Sequence, residues 1–467
     1  MRAWPFVVAG VVGACGSSSG AGGGDASVGD DVARDGGVDA TVDAAPPTVT
    51  AACSDSIGSV YTTPSGLPPL SASARGDVVR CAKDTDIDVS AMTSRLSTAK
   101  VANVTATSGA TTYRIAYRTT RFDGAGGAST ARVYLPTAPR SSPVPIIVGA
   151  HGTTGLADIC APSKYESLDD YLILPFVAHG YAVVAPDYAG LGNEGTQAYG
   201  DNKDTGQSTL DAARAMRKLV SAGSLSGKVV VVRHSQGGGA ALSAQALART
   251  YGDGDVVGVV GFAPGWQVGV DVSGFRAPTV STSYGAGLPA ALASLFVDAY
   301  FTNRVGATHE GDGFGATARS AVLGAIASQC VLQLAVSIPM AAATFGDLFD
   351  ATFRTSVIDC ADGRTCVEPG KSYLAFLTSN VLTGDRQGAH VLVVEGLSDT
   401  TVSPANVKCV VDKLNADGVT PQVCTDGAAQ HLDVTQRNAK LALDWVDALI
   451  DGTAMPTCDG SGLPACR

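Results

Sequence analysis

Apolar and polar positions along this chain fall into two rhythms that take turns. Unbroken apolar runs short enough for strands lie at 145–150, 181–185, 229–232, 256–262 and 390–395, and each stops in a loop. Runs of this kind belong to parallel strands covered on both faces, because alternation is lost where neither face meets water. Between them the spacing turns helical. Ser208 and Asp211 suggest a capping-box start for a helix carrying Leu210, Met216, Leu219 and Val220. A second helix is expected from about 238 to 251, and a third opens at Ser403-Pro404 and closes near Gly418. Val434, Leu441, Trp445 and Leu449 mark one face of a last helix. Upstream, residues 112–120 and 129–135 read as a hairpin at the sheet edge, joined by the glycine-rich turn 123–127. Repeated strand–helix units predict an α/β fold with a mostly parallel central sheet flanked by helices and a ligand site beyond the strands' carboxyl ends.

Residues 265–388 break this rhythm. They are rich in Ala, Leu, Phe and Val without strand alternation, and read as a helical cap inserted between two late strands of a core formed by 51–264 and 389–467. Within the cap, 321–343 is apolar enough to raise a membrane span as a rival reading. Ser328, Gln329, Gln333, Ser337 and Pro339 interrupt it, and a single span there would separate Ser235 from the later acid and histidine. An amphipathic or buried cap helix is the expectation.

The amino terminus is different in kind. Met1-Arg2 leads into an apolar stretch, 6–14, too short to span a bilayer, and residues 1–14 read as an export signal. It ends at Val12-Gly13-Ala14-Cys15, which is similar to the lipobox of bacterial lipoproteins, so Cys15 is the expected lipidation site; cleavage after Ala14 is the alternative. Residues 15–50 are almost wholly Gly, Ser, Ala, Asp, Val and Pro, a composition that suits a tether. Eleven cysteines less Cys15 leave an even set of ten, read as disulfides in an exported chain. Sequence-near pairs (Cys53 with Cys81, Cys360 with Cys366, Cys409 with Cys424, Cys458 with Cys466) are candidates, and the connectivity stays open. A net charge of −11 without a Lys/Arg block speaks against nucleic acid as a partner. No metal is expected, since the histidines are scattered and no C-x-x-C occurs, so a structural zinc site lacks its usual spacing.

The chemistry gathers at Ser235. The run Val229-Val230-Val231-Val232-Arg233-His234-Ser235-Gln236-Gly237-Gly238 is a strand that collides with a small-residue turn and then a helix, the context of a nucleophile elbow. Arg233 stands where the G-x-S-x-G pattern has glycine. A serine hydroxyl needs a histidine base and a carboxylate that orients it. Asp399 follows the strand ending at Glu395, and His431 precedes the last helix, giving the order Ser, Asp, His. Asp426 and Asp433 lie too close to His431 in sequence to reach its far nitrogen easily. His234 is expected to point away from the site, while His179 and His309 read as structural or exposed. Oxyanion donors are expected from the N–H of Gln236 and, after His151-Gly152, from Thr153, whose hydroxyl is a further candidate donor. Asp187 reads as a loop-organising carboxylate.

These segments carry a resemblance. His151-Gly152-Thr153-Thr154-Gly155-Leu156-Ala157-Asp158, Pro186-Asp187-Tyr188-Ala189-Gly190-Leu191-Gly192, His234-Ser235-Gln236-Gly237-Gly238 and the late Asp399 and His431 make the chain similar to α/β-hydrolases of the secretory lipase family, over roughly residues 100–450. The resemblance implies an α/β-hydrolase fold and hydrolysis of carboxylic esters and triacylglycerols through an acyl-enzyme. It further implies no cofactor, a helical cap over the acyl pocket, and lipophilic esters as substrates. Ser235 would be the nucleophile, His431 the base and then the acid, and Asp399 its orienter. The departure is Arg233, a bulky cation in place of a small residue. It motivates the alternative of a catalytically impaired envelope binding protein of the same fold. A serine peptidase is the other alternative.

Overall fold

The computed structural model describes residues 44–466 apart from 169, 253, 271, 284 and 285. The export signal, Cys15 and most of the expected tether therefore lie outside the described residues. Among the described residues nine strands form one sheet: β1 (Val78–Lys83), β2 (Ala110–Thr120), β3 (Gly126–Pro136), β4 (Val144–Ala150), β5 (Ala182–Pro186), β6 (Leu225–His234), β7 (Val256–Phe262), β8 (His390–Gly396) and β9 (Gln422–Asp426). Their order is β1-β2-β3-β5-β4-β6-β7-β8-β9. The β1, β2, β3 and β5 pairings are antiparallel, and the pairings from β5 through β4 to β9 are parallel. The hairpin of β2 and β3 is thus not the edge. Val78-Val79-Arg80-Cys81 pairs outside it, and Cys81 is bonded to Cys53.

The helices are α1 (Ile57–Val60), α2 (Val89–Thr98), α3 (Asp170–Ala178), α4 (Asn202–Leu219), α5 (Gln236–Tyr251), α6 (Ser273–Arg276), α7 (Gly287–Tyr300), α8 (Arg319–Ile326), α9 (Val331–Ala341), α10 (Phe345–Leu348), α11 (Ala351–Ala361), α12 (Gly370–Ser379), α13 (Pro404–Ala416) and α14 (Val434–Asp451). The parity of the valines in β6 divides the core. Val229 and Val231 pack with α4 and α5 residues such as Leu210, Met216 and Leu242, whereas Val230 and Val232 pack with Phe176 of α3 and Trp445 of α14. Each buried face contributes stability through apolar area removed from water, about 25 cal/mol per Å².

Helix α4 starts six residues before the expected Ser208. Its cap is Asp201, whose carboxylate accepts from the Asp204 N–H at 3.0 Å. Asp211 is inside the helix and fully buried, accepting from Thr119 at 2.8 Å and Tyr251 at 2.9 Å, with Arg214 at 2.6 Å. A polar helical half is buried there because Thr119 and Tyr251 from other elements, together with Arg214 one turn on, meet the acid. The tether also ends earlier than expected. Pro47 is buried, Val49 bridges Val220, and the Ser221 N–H donates to the Thr48 carbonyl at 2.8 Å. Extended Pro-Thr-Val-Thr finds free backbone partners at the end of α4.

Between β7 and β8, α6 through α12 form a separate apolar cluster around Phe314, Phe353 and Tyr373. The apolar run 321–343 is not one helix. It breaks at 327–330 into α8 and α9, and among the described residues no helix is long and apolar enough to cross a membrane. Among the described residues five disulfides link Cys53–Cys81, Cys160–Cys330, Cys360–Cys366, Cys409–Cys466 and Cys424–Cys458. Cys409–Cys424 and Cys458–Cys466 are therefore not the pairs. The carboxyl-terminal segment runs back along β9, where the Thr425 N–H donates to the Asp459 carbonyl at 2.7 Å, and so offers Cys458 to Cys424 and Cys466 to Cys409.

Candidate active site

Ser235 follows the last residue of β6 and precedes α5 with φ 57° and ψ −123°, a conformation that side chains other than glycine rarely adopt. It is held there by its neighbours. Its N–H donates to the Phe262 carbonyl at 2.9 Å, and its carbonyl accepts from Gly265 at 2.9 Å and Gly239 at 3.1 Å. The small start of α5 is a packing requirement: a Cβ on Gly238 would come within 2.7 Å of Pro264 and one on Gly239 within 2.3 Å of the Gly265 carbonyl. Such strain persists only where surrounding contacts over-determine it.

The structure brings Ser235, His431 and Asp399 together. His431 Nε2 lies 2.9 Å from Ser235 Oγ, and His431 Nδ1 lies 2.6 Å from Asp399 Oδ2. The other oxygen of Asp399 accepts from the N–H groups of Thr401 at 2.7 Å and Val402 at 3.0 Å. A carboxylate so engaged is fixed in direction and holds the ring nitrogen facing it in the N–H form, leaving Nε2 as the acceptor toward the serine. The rival acids are elsewhere: Asp426 pairs with Arg437 at 2.8 Å and Asp433 accepts from the Gln430 N–H at 2.7 Å. His179 pairs with Asp447 at 3.0 Å and His309 with Asp312 at 2.9 Å.

His234 does not point away. Its Nε2–H donates to the main-chain carbonyl of His431 at 2.8 Å, and the two rings lie 4.7 Å apart. Burial and the neighbouring His431 push its pKa down to about 3, so it is a neutral donor. Strand parity sends its side chain to the α3 and α14 face, and the loop before α14 closes over that same face. Sequence reading also passed over Glu395, which is fully buried at the end of β8 and has no hydrogen-bond partner among the described residues. Burial and the charge of Asp399 raise its pKa to about 9, so it is a neutral acid at pH 7.

On the other side of Ser235 runs the loop after β4. Gly152 is pressed so close that a Cβ would stand 3.2 Å from that of Ser235. Thr153 follows, its hydroxyl engaged with the Tyr199 hydroxyl at 2.8 Å rather than free toward the site. The Thr154 carbonyl accepts from Val331 at 2.8 Å, and the Cys160–Cys330 bond ties the following turn to the start of α9. Gln236 is the first residue of α5, so its N–H has no acceptor within the helix. Asp187 organises the loop after β5, accepting from Thr130 at 2.6 Å and from the Ser163 N–H at 2.8 Å; burial raises its pKa to about 6. Arg233 is fully buried and donates to the Tyr188 hydroxyl at 2.8 Å, and the elbow keeps its geometry with the arginine in place. The cap holds a cavity of about 300 Å³ lined by Phe275, Phe296, Phe345, Phe349, Tyr373 and Leu377. Gln267 also lines it, two residues beyond the Gly265 that bonds to Ser235.

A family model described as secretory lipase matches residues 163–459, more than half of the chain. Among solved structures, lipase A of Candida antarctica in its closed state is similar with a TM-score of 0.63 at 19% identity, covering 88% of this chain and 90% of that one. The rice cell wall degrading esterase LipA of Xanthomonas oryzae is similar with a TM-score of 0.60 at 20% identity, covering 81% of this chain and 97% of that one. These likenesses show the fold, an α/β-hydrolase. No curated protein sequence matches the chain.

Proposed function

Because the chain belongs to the secretory lipase family and is a lipid ester hydrolase by that membership, we propose that it cleaves lipophilic carboxylic esters through an acyl-enzyme on Ser235. The single observation that carries this reading is the unbroken path from Ser235 Oγ to His431 and Asp399 at 2.9 and 2.6 Å. His431 takes the hydroxyl proton as Oγ forms its bond to the ester carbonyl carbon. It returns that proton to the departing alkoxide as the tetrahedral intermediate collapses to the acyl-enzyme. Water, deprotonated by the same nitrogen, then releases the acid. The N–H groups of Gln236 and Thr153 receive the negative charge that appears on the carbonyl oxygen.

Two features favour a lipophilic substrate. The cap cavity is walled by aromatic rings, which take up acyl chains and offer few groups to a peptide. From 320 to 346 the chain carries no charged residue, and Leu332, Val336 and Met340 stand exposed at four-residue spacing on α9, Met340 at 84%. A panel of p-nitrophenyl esters of graded chain length, hydrolysed by the wild type and by Ser235→Ala, tests the reading. Medium and long acyl chains are expected to exceed acetate in kcat/KM, and the variant is expected to be inactive on all of them. A wild type restricted to acetate would refute the lipophilic assignment.

The address is extracytoplasmic, in keeping with the family and the five disulfides. We propose further that Cys15 is lipidated and the protein held at a bacterial envelope through 15–43, because the lipobox-like end of the signal is followed directly by a Gly/Ser/Ala/Asp-rich tether. Cys15→Ser is expected to move the protein from the membrane to the soluble fraction; unchanged membrane association would reject the anchor.

A further inference from the structure

Arg233 stands two residues before the nucleophile, where the family's turn has a small side chain, and the structure gives it a defined task. Odd-numbered residues at the end of β6 face α5, so its side chain leaves the strand on the side opposite to His234. Tyr188 waits there, packed on Ala240 of α5. Arg233 Nη1 donates to the Tyr188 hydroxyl at 2.8 Å, and the guanidinium carbon lies 5.2 Å from the ring centroid. The Tyr188 hydroxyl in turn donates to the main-chain carbonyl of His151 at 3.1 Å, with the two rings 4.8 Å apart. A phenol that spends its one proton on a carbonyl has only lone pairs left, and inside a protein it needs a donor such as Arg233 to meet them.

His151 opens the loop that lies over Ser235. Its Nδ1 is 2.5 Å from the Gly152 carbonyl and its Nε2 is 3.3 Å from the Asp187 carbonyl. Both partners are acceptors, so the neutral ring serves one of them with its single N–H. Gly152 is the residue that permits this close approach, because a Cβ there would stand 3.2 Å from the serine's. Tyr188 itself has φ 72°, an unfavourable conformation for a bulky residue and one that neighbouring contacts must enforce. A backbone carbonyl, a strained tyrosine and a buried cation thus form one line from the nucleophile's strand to the loop carrying Thr153.

We propose that Arg233 and Tyr188 are positioning residues that set the His151–Thr153 loop against Ser235, so that the arginine is part of the oxyanion device and not an obstacle to the elbow. This rests on the reading of Ser235 as nucleophile.

The test uses Tyr188→Phe, Arg233→Met and Arg233→Lys in the purified protein, with p-nitrophenyl ester kinetics and inhibition by an alkylboronic acid. The boronate reads the oxyanion site directly: Ser235 Oγ bonds to boron, its proton passes to His431, and the charge falls on the boronate. Tyr188→Phe keeps the ring and removes only the hydroxyl. It is expected to lower kcat by roughly 10- to 100-fold, the size of loss that misplacement by about 1 Å produces. KM should stay within about twofold, and boronate affinity should weaken in parallel with kcat. Arg233→Met should behave alike, Arg233→Lys should recover part of the rate, and the Tyr188→Phe/Arg233→Met double variant should be no worse than either single one, because the two act as a unit. Wild-type kcat and boronate affinity in Tyr188→Phe would overturn the proposal even if Arg233→Met failed to fold. Activity surviving in Ser235→Ala would instead remove the reading of the site beneath it, so the two failures are distinguishable.

Discussion

Strand β6 sends His234 to one face of the sheet and Arg233 to the other, and the two sides of Ser235 are built in contrasting ways. On the α14 side the contacts suit the proposed proton transfer: His431 lies against the serine hydroxyl, Asp399 faces the other ring nitrogen, and His234 bonds to the histidine's own carbonyl. On the α5 side everything concerns the path of a backbone: Arg233 holds Tyr188, Tyr188 holds the His151 carbonyl, and Gly152 sits against the serine. The first side works through side chains at late strand ends, the second through main-chain groups fixed from behind. Side chains that do chemistry can be recognised by type. Groups that position a backbone take whatever residue fills the local space, which is why an arginine can occupy a place where the pattern has glycine.

This contrast predicts a graded set of losses. Asp399→Asn cuts deepest, because an amide favours the wrong imidazole tautomer; kcat is expected to fall by about 10³- to 10⁴-fold in steady-state ester hydrolysis. A fall below tenfold would mean that another acid orients His431. His234→Leu comes next. It deletes one donor to the His431 carbonyl while keeping bulk, and is expected to lower kcat by roughly tenfold and to slow labelling of Ser235 by a fluorophosphonate. The comparison is sharpest in the pH profile: His234→Leu should move the acid limb of kcat/KM because it disturbs the base, whereas Tyr188→Phe should leave that limb where it is. Equal profiles would merge the two sides into one.

The smallest effect is on stability. Glu395 is held protonated in the folded protein up to about pH 9, while the unfolded chain loses that proton near 4.5. Between these values the folded state binds the extra proton. Its favourable contribution is therefore complete below about pH 4.5 and drains away as pH rises toward 9. Glu395→Gln, neutral throughout, should gain thermal stability over the wild type as pH rises from 5 to 9, by roughly 2 °C or more at the upper end. The measurement is the difference in Tm between the two pH values, which cancels any constant offset from the amide. A difference that does not grow with pH would show that Glu395 ionises freely.

Much of the fold was legible because buried parallel strands announce themselves as unbroken apolar runs, and because Ser235 and Asp399 each follow one of them, while His431 stands just before the amphipathic last helix. What escaped has long-range causes. Ser208 and Asp211 looked like a helix start, since nothing nearby reveals that Thr119 and Tyr251 arrive from β2 and α5 to satisfy a buried acid. β1 is short, and Arg80 and Lys83 interrupt its apolar residues; it pairs as a strand along the edge that β2 offers. The crossed pairing of Cys409 with Cys466 and Cys424 with Cys458 depends on where the carboxyl-terminal segment runs, which spacing does not encode. His234 was placed on the wrong side because its partner is a main-chain carbonyl, and carbonyls leave no mark on a sequence.

Ester hydrolysis and active-site labelling by Ser235→Ala, set beside the wild type, test the central claim most directly. The account predicts wild-type turnover of medium- and long-chain p-nitrophenyl esters, stoichiometric fluorophosphonate labelling at Ser235, and loss of both in the variant with its fold intact by circular dichroism. Hydrolysis at the wild-type rate by Ser235→Ala, or labelling at another serine, would contradict it.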